Sequence, residues 1–190
     1  MITQQRLDIS KTPRNFRGKS KLFVQLWWIV QSTLFGLSPQ IFYGWRRFLL
    51  RLFGAKIGKK VLLRPSARFT YPWKISIGDY SWIGDNVVLY SLGEIEIGNH
   101  TVISQRSYLC AGTHNYKKID FPLVGEKITI GDSCWIATDV YVAPGVKILR
   151  NTIVGARSSV FKDLPEGKIC IGNPAKPIKD REFDKDYNNK

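Results

Sequence analysis

Aliphatic residues recur every six positions over most of this chain. In chain order they are Ile57, Leu63, Phe69 and Ile75, a weaker series, then Ile77, Ile83, Leu89, Ile95, Ile97, Ile103, Leu109, Ile130, Ile136, Val142, Ile148, Val154 and Val160. Six is neither a helical period nor a simple strand alternation. Short strands that bend every six residues and return after three sides form a triangular prism with inward aliphatic residues. The pattern therefore predicts a solenoid of five or six coils.

A longer repeat shows where the prism is interrupted. The stretches KISIG (74–78), EIEIG (94–98) and KITIG (127–131) begin 20 and then 33 residues apart, so the second interval is thirteen residues longer. Because each coil pairs only with its neighbours, a loop can leave one corner without disturbing the ladder. We therefore predict an excursion loop at 112–124, which carries His114 near its start.

The segment before the prism has a different pattern. From Leu22 to Trp45 it carries no formal charge over 24 residues, which is long enough for a transmembrane helix. However, scattered Gln and Ser residues interrupt it, and Gly36 with Ser38-Pro39 divides it. We predict two amphipathic helices within 22–53. Such helices either lie in a membrane interface or cap the end of the prism, and the sequence permits both.

These patterns give one domain with four parts. The expected boundaries are a basic N-terminal tail (1–21), an amphipathic helical segment (22–53), the prism of six-residue repeats (54–173) and a C-terminal tail (174–190). A chain of 190 residues buries an adequate core without disulfide bonds.

The net charge of +14 is concentrated near the N-terminus. Residues 1–60 contain twelve Lys and Arg against the single acid Asp8. A local basic surplus indicates an anionic partner, such as phospholipid, nucleic acid or a phosphorylated substrate. The aromatic residues of this region lie in an apolar run instead of alternating with charge, and no nucleic-acid motif is present. We therefore expect no nucleic-acid partner.

Cysteine usage and the N-terminal residues suggest a location. Cys110, Cys134 and Cys170 have no C-x-x-C spacing, so we expect reduced thiols and no metal site. The first residues contain no apolar signal-peptide core. We expect a cytoplasmic protein, with peripheral contact at the inner face of the cytoplasmic membrane as an open alternative.

Several motifs carry a family resemblance. The hexapeptide series, AGTH (111–114), GDSCWIA (131–137), APGVKI (143–148), VGARSSV (154–160) and GNPAK (172–176) resemble the hexapeptide-repeat acyltransferases. Within that family the chain is most similar to the colanic-acid-type and nodulation-type O-acetyltransferases. The resemblance implies a mainly β fold, a left-handed parallel β-helix. The left hand follows from the resemblance alone, because parallel crossovers are normally right-handed.

The resemblance also implies a reaction. Members transfer an acetyl group from acetyl-CoA to a hydroxyl group, and His114 matches the histidine that acts as general base. A neutral imidazole, with an ordinary pKa of about 6.5, suits proton abstraction at cellular pH. Cys110 offers a rival acyl-cysteine mechanism, although a structural thiol fits its place in the repeat better. His100, in the turn GNHT, is interpreted as structural.

By resemblance, seven residues contact acetyl-CoA. Trp135 and Thr138 border the acyl and pantetheine path beside His114, and the small Gly155 and Ala156 let the pantetheine arm approach the backbone. The basic groups for the phosphates are Lys162, Lys176 and Lys179. The alternatives are that Trp135 packs against a neighbouring subunit and that the lysines belong to a basic tail.

The acceptor site departs from the family pattern. Sugar acetyltransferases hold the acceptor with an asparagine one and a half coils before the histidine, and that position is Gly84 here. Asn86, two residues further, is therefore the expected acceptor-binding residue. The preferred function is O-acetylation of a sugar hydroxyl in polysaccharide or lipid-linked oligosaccharide assembly by a homotrimer. The alternative is a non-catalytic binding or scaffold protein with a basic segment that faces membrane or nucleic acid.

Overall fold

The fold is a parallel β-solenoid of about six coils behind a helical N-terminal segment. A computed structural model describes residues 4–13 and 15–184. Each regular coil contributes one short strand to each of three parallel sheets, here named A, B and C. Sheet A contains, in chain order, β1 (Lys56–Ile57), β4 (Ile75–Ile77), β7 (Ile95–Ile97), β12 (Ile128–Ile130) and β15 (Lys147–Ile148), and sheet B begins with β2 (Leu62–Leu63), β5 (Trp82–Ile83), β8 (Val102–Ile103), β13 (Trp135–Ile136) and β16 (Ile153–Val154). Sheet C contains β3 (Arg68–Phe69), β6 (Val88–Tyr90), β9 (Tyr108–Cys110), β14 (Tyr141–Val142) and β17 (Ser159–Val160). The excursion between β9 and β12 adds the strands β10 (Gly112–His114) and β11 (Leu123–Gly125).

The last coil is closed differently from the others. Leu164 forms an isolated parallel β-bridge with Ile148 of sheet A, and β18 (Lys168–Gly172) then pairs with β16 in sheet B. The chain reverses there, and β19 (Ala175–Asp180) pairs with β18 in the antiparallel direction. The range 174–190, expected as a tail, therefore begins as a strand.

The six-residue period is confirmed as the core of the solenoid. Every aliphatic position of the series is buried, from Ile57 to Val160. The three related stretches occupy one register of sheet A, in which Ser76 pairs with Glu96 and Glu96 with Thr129. The extra thirteen residues lie between β9 and β12 and form the antiparallel hairpin β10–β11, so the predicted excursion is partly ordered as strands.

Two helices precede the solenoid, divided where the sequence predicted. Helix α1 (Lys21–Val30) begins at the cap Ser20, whose side chain accepts from the Phe23 amide, and continues as a π-helical turn, Gln31–Phe35. Helix α2 covers Tyr43–Leu52. Within the described residues, no helix is both long and apolar enough to cross a membrane.

The helices cap the first coil through hydrogen bonds as well as apolar packing. The Trp27 indole donates to the Phe69 carbonyl of β3 at 2.7 Å, and Arg51 donates to the Ile57 carbonyl of β1 at 2.7 Å. Gln31 accepts from the Phe69 amide at 2.6 Å. An open ladder edge would leave these backbone groups unpaired, so the predicted cap role is present in the structure.

Arg46 completes this cap from inside the protein. Its side chain is fully buried, and burial lowers the pKa of its guanidinium. It donates to the Leu63 carbonyl of β2 at 2.6 Å, to Ser38 Oγ and the Pro39 carbonyl at 2.8 Å each, and to the Gln40 carbonyl. One cation therefore ties α2, the interhelical turn and the first coil together.

Candidate active site

The excursion leaves the prism at the corner between sheets C and A. Thr113 pairs with Val124 and His114 with Leu123 across the β10–β11 hairpin. The root is packed on buried Leu92, since a Cβ atom on Gly112 would lie 2.6 Å from Leu92 Cδ1. A glycine here lets the hairpin sit directly against the solenoid, which fixes the position of His114.

The exposed His114 side chain is held in one tautomer. Its Nδ1 lies 2.9 Å from the Phe121 carbonyl oxygen. A carbonyl oxygen only accepts hydrogen bonds, so Nδ1 carries the proton and donates it. The Nε2 atom is then the unprotonated nitrogen of the neutral ring, as a general base requires.

Phe121 holds this histidine by two contacts that the sequence did not reveal. Its ring stacks on the imidazole with centroids 4.2 Å apart and planes 10° apart. Its backbone is left-handed, with φ of +43°, an unfavourable conformation for a bulky residue. No motif marks Phe121, because the relevant acceptor is a main-chain carbonyl in a strained loop.

The basic N-terminal tail reaches the tip of the same hairpin. The Arg6 amide donates to the Ile119 carbonyl at 2.9 Å. Nearer the solenoid, the Trp73 indole donates to the Arg17 carbonyl at 2.6 Å, and Lys74 Nζ donates to the Phe16 carbonyl at 2.7 Å. The described part of 1–21 therefore lies against the protein, close to the loop that carries His114. Arg14 of this tail lies outside the described residues.

Trp135 lies on the outer side of sheet B. Its side chain is 46% exposed, and its indole donates to Ser104 Oγ at 2.9 Å. In the ladder it stands between Val102 and Ile153. The outer side of sheet B therefore presents an exposed indole ring in a row of aliphatic side chains.

The corner between sheets B and C contains the other small or polar candidates. Thr138 is half-buried and donates to the Gln105 carbonyl at 3.0 Å, while Ala156 is exposed. At Gly155 an added Cβ would lie 2.4 Å from Ile171 Cγ2, so the space that a side chain would fill is taken by Ile171 of β18. Asn86 has φ of +54°, which asparagine tolerates at a corner. Packing and backbone geometry thus explain Gly155 and Asn86 without a ligand.

The three lysines are all exposed but occupy two places. Lys176 and Lys179 lie on β19, opposite Ile171 and Ile169 of β18, at the C-terminal edge of sheet B. Lys162 follows β17 at the corner between sheets C and A. Only the first two share a side of the prism with Trp135.

The thiols and the second histidine show structural contacts. Cys110 is half-buried and its Sγ donates to the Gly112 carbonyl at 3.2 Å, whereas His114 bonds the Phe121 carbonyl. Burial raises the pKa of the Cys134 thiol to about 11. His100, with φ of +53°, stacks on Tyr80 at a corner. Among the residues that the structure describes, no group of three His, Cys, Asp or Glu could hold a metal ion.

Comparison with known proteins identifies the family. The family described as bacterial transferase hexapeptide (six repeats) matches residues 127–162. The protein of Escherichia coli (strain K12) named as the colanic acid biosynthesis acetyltransferase WcaF is 58% identical over 177 residues, which cover 93% of this chain and 97% of that protein. The chain belongs to the hexapeptide-repeat acetyltransferases.

Solved structures agree with this assignment at the level of the fold. A hexapeptide-repeat acetyltransferase of Vibrio cholerae, complexed with acetyl-CoA, has a TM-score of 0.76 at 24% identity and covers 86% of this chain and 89% of its own. A galactoside acetyltransferase in complex with CoA has a TM-score of 0.79 at 23% identity, with 91% and 86% covered. Family membership also sets aside the non-catalytic scaffold alternative, so this hexapeptide-repeat acetyltransferase is an enzyme.

The candidate residues of this hexapeptide-repeat acetyltransferase fall into two groups. His114 and Lys162 lie on the corner between sheets C and A. The other candidates lie on sheet B or on its corner with sheet C, and they are Asn86, Trp135, Thr138, Gly155, Ala156, Lys176 and Lys179. The full width of sheet C separates the two groups, so one chain does not bring His114 beside Trp135.

Proposed function

We propose that the enzyme transfers an acetyl group from acetyl-CoA to a sugar hydroxyl, with His114 as general base, in polysaccharide or lipid-linked oligosaccharide assembly. The observation that carries this proposal is the hydrogen bond from His114 Nδ1 to the Phe121 carbonyl, which leaves Nε2 able to accept a proton. The name of the WcaF relative, a colanic acid biosynthesis acetyltransferase, supports a polysaccharide acceptor.

The reaction needs one base and no covalent enzyme intermediate. Nε2 of His114 takes the hydroxyl proton while the sugar oxygen attacks the thioester carbonyl. The imidazolium formed still donates a hydrogen bond from Nδ1 to the Phe121 carbonyl, which stabilises the charge. A backbone amide stabilises the oxyanion, and collapse of the tetrahedral intermediate breaks the carbon–sulfur bond. The Nε2 proton then leaves with the CoA thiolate, so the proton balance closes.

The outer side of sheet B suits the donor. Trp135 offers a flat apolar surface beside Ile153 and Ile169, and Lys176 and Lys179 stand at the end of the same sheet. An extended pantetheine arm along such a sheet places its phosphates near cations. Thr138 and Ala156 border that path, whereas Gly155 serves chiefly to admit Ile171.

The two lysines at the edge of sheet B give the first prediction. Replacing Lys176 and Lys179 together by glutamate raises the KM for acetyl-CoA about tenfold and leaves kcat near the parent value, because contacts to a remote phosphate are uniform binding. Steady-state kinetics at saturating acceptor measure both constants. The matched control is Lys56→Glu with Lys147→Glu on the outer side of sheet A. An unchanged KM in the sheet B variant removes these lysines from the donor site.

We infer further that the active enzyme is a homotrimer with each site built from two chains. The outer side of sheet C carries a ladder of rings from Tyr90 through Tyr108 and Tyr141 to Phe161, with centroids 5.8–6.3 Å apart. Burial raises the pKa of Tyr108 and Tyr141 to about 12. Sheet A instead presents Lys56, Ser76, Glu96, Thr129 and Lys147 outward. Sheets B and C therefore suit subunit contacts that bring Trp135 of one chain to His114 of the next.

Mixed assemblies test this two-chain site. Trimers formed by coexpression of equal amounts of His114→Ala and Trp135→Glu chains regain activity, because about a quarter of interfaces then combine an intact His114 with an intact Trp135. The measurement is acetyl transfer per trimer, with each variant assembled alone as the control. Full activity of a stable monomer in sedimentation, or no regain in mixed trimers, contradicts the inference.

A further inference from the structure

The helical cap exposes an unusual amount of apolar surface. Of the 23 large hydrophobic side chains exposed in the described residues, eleven fall between residues 22 and 52. The solenoid, with more than twice that length, exposes fewer. Such a concentration of exposed apolar side chains is typical of an interaction site.

Helix α1 is apolar on both sides. Val24 and Trp27 face the first coil and are buried, with Gln31 beyond them. The opposite stripe consists of Leu22, Leu26 and Ile29, which are 83%, 50% and 62% exposed. Spacings of four and three residues place these three on one side of the helix, away from the solenoid. A cap needs only the inner side to be apolar, so the outer stripe requires another explanation.

Helix α2 extends the same surface. Trp45, Phe48 and Leu52 are exposed on its outer side, and the rings of Trp45 and Phe48 stack with centroids 5.7 Å apart. The Trp45 indole donates to the Leu34 carbonyl at 2.9 Å, which joins α2 to the π-helical turn that follows α1. We name Leu22, Leu26, Ile29, Trp45, Phe48 and Leu52 the cap face.

A groove borders the cap face at the interhelical segment, beside Trp45. Its volume is about 570 Å³, and its apolar lining comprises Leu34, Leu37, Pro39, Phe42 and Trp45. Leu37 is 81% exposed at its edge. The cap face and the groove together form an apolar surface with a concave part, which suits an apolar ligand.

Charge decides what occupies this surface. Residues 9–78 contain fourteen Lys and Arg and no Asp or Glu. Lys19 and Lys21 are exposed at the start of α1, and Lys59 and Lys60 are exposed on the adjoining first coil. The cap face therefore has a cationic border. A second copy of the chain would bring two such borders together, and the resulting repulsion disfavours that occupant.

We propose that the cap face docks on an anionic phospholipid bilayer. Each helix has ten residues and is about 15 Å long, so both lie in the membrane interface with the apolar side chains among the acyl chains. The lysines then meet the lipid phosphates. In the proposed trimer, parallel solenoids place three cap faces at the same end, and simultaneous engagement strengthens binding.

Vesicle co-sedimentation of the full chain tests the proposal without acetyl-CoA. The parent binds vesicles of phosphatidylglycerol and phosphatidylcholine at least about tenfold more tightly than pure phosphatidylcholine, and about 1 M salt weakens this binding. Leu26→Glu with Phe48→Glu lowers the affinity for anionic vesicles at least about tenfold. The matched control, Leu149→Glu with Phe183→Glu, changes exposed residues near the other end and binds like the parent. Melting temperatures of both double variants stay near the parent value.

Fluorescence gives a second, independent measurement. Lipids brominated in their acyl chains quench the tryptophan emission of the parent, and Trp45→Phe reduces the quenched fraction. Equal binding to neutral and anionic vesicles, parent-like binding by the cap-face variant, or no quenching overturns the proposal. A lipid-free assembly that the cap-face variant reduces to smaller units would assign the surface to a second copy instead.

Discussion

Replacing His114 by alanine lowers the turnover of acetyl transfer by about 10²–10⁴-fold, the usual contribution of a general base. The affinity for CoA and the melting temperature stay near the parent values, because the side chain is exposed and bonds only the hairpin that carries it in the described structure. Steady-state kinetics, CoA titration and thermal unfolding measure the three quantities. A loss in kcat without loss of CoA binding is the expected signature of a proton-transfer defect.

The chain provides a matched control for that experiment. His100→Ala removes the other histidine, which stacks on Tyr80 at a corner of the prism, and leaves turnover within a few-fold of the parent. Turnover within a few-fold of the parent for His114→Ala itself would exclude His114 as the base. A fall in turnover that parallels a fall in melting temperature would assign His114 a structural role instead.

Replacing Arg46 by methionine destabilises the protein by about 3–5 kcal/mol, the largest effect we expect from a single substitution on stability. Methionine fills much of the space but donates no hydrogen bond, so the carbonyls of Leu63, Pro39 and Gln40 lose their charged donor in a buried place. For a chain of this length the melting temperature falls by about 10 °C. Urea unfolding followed by circular dichroism measures the free energy.

A surface arginine serves as the comparison. Arg150 pairs with Glu166 at 2.6 Å, but both side chains are largely exposed. Arg150→Met therefore costs less than about 1 kcal/mol. If Arg46→Met costs no more than Arg150→Met, the cap does not depend on its buried cation.

Much of the fold followed from two periodicities in the sequence. One inward residue every six positions predicted the prism. The thirteen extra residues between EIEIG and KITIG located the excursion, because these two stretches pair in register in sheet A and the extra residues must therefore leave the coil. Gly36 and Ser38-Pro39 correctly divided the helical segment. The closing strand β19 was missed, because GNPAKPIK lacks the aliphatic alternation of a strand.

The candidate site was less predictable than the fold. His114 stood out because it adjoins the interruption of the repeat, but its partner is a main-chain carbonyl that any residue could supply. Gly155 looked like space for a ligand, yet that space holds Ile171, from a later part of the chain. Trp135 adjoins Ile136, a sheet B position, whereas the excursion follows Leu109, a sheet C position. The six-residue spacing therefore already placed Trp135 and the excursion on different sides of the prism.

The two ends of the solenoid have a consequence for assembly. A parallel β-ladder can in principle grow without limit by stacking one molecule on the next, as fibrils do. At one end, the side chains of Trp27, Arg46 and Arg51 already occupy carbonyls that an incoming strand would need. At the other end, β19 runs antiparallel and offers no parallel template. The helical end thus blocks parallel addition to all three sheets, and β19 blocks it on sheet B at the other end, which disfavours head-to-tail polymerisation. Coils inserted between the two ends would lengthen the prism without removing either block.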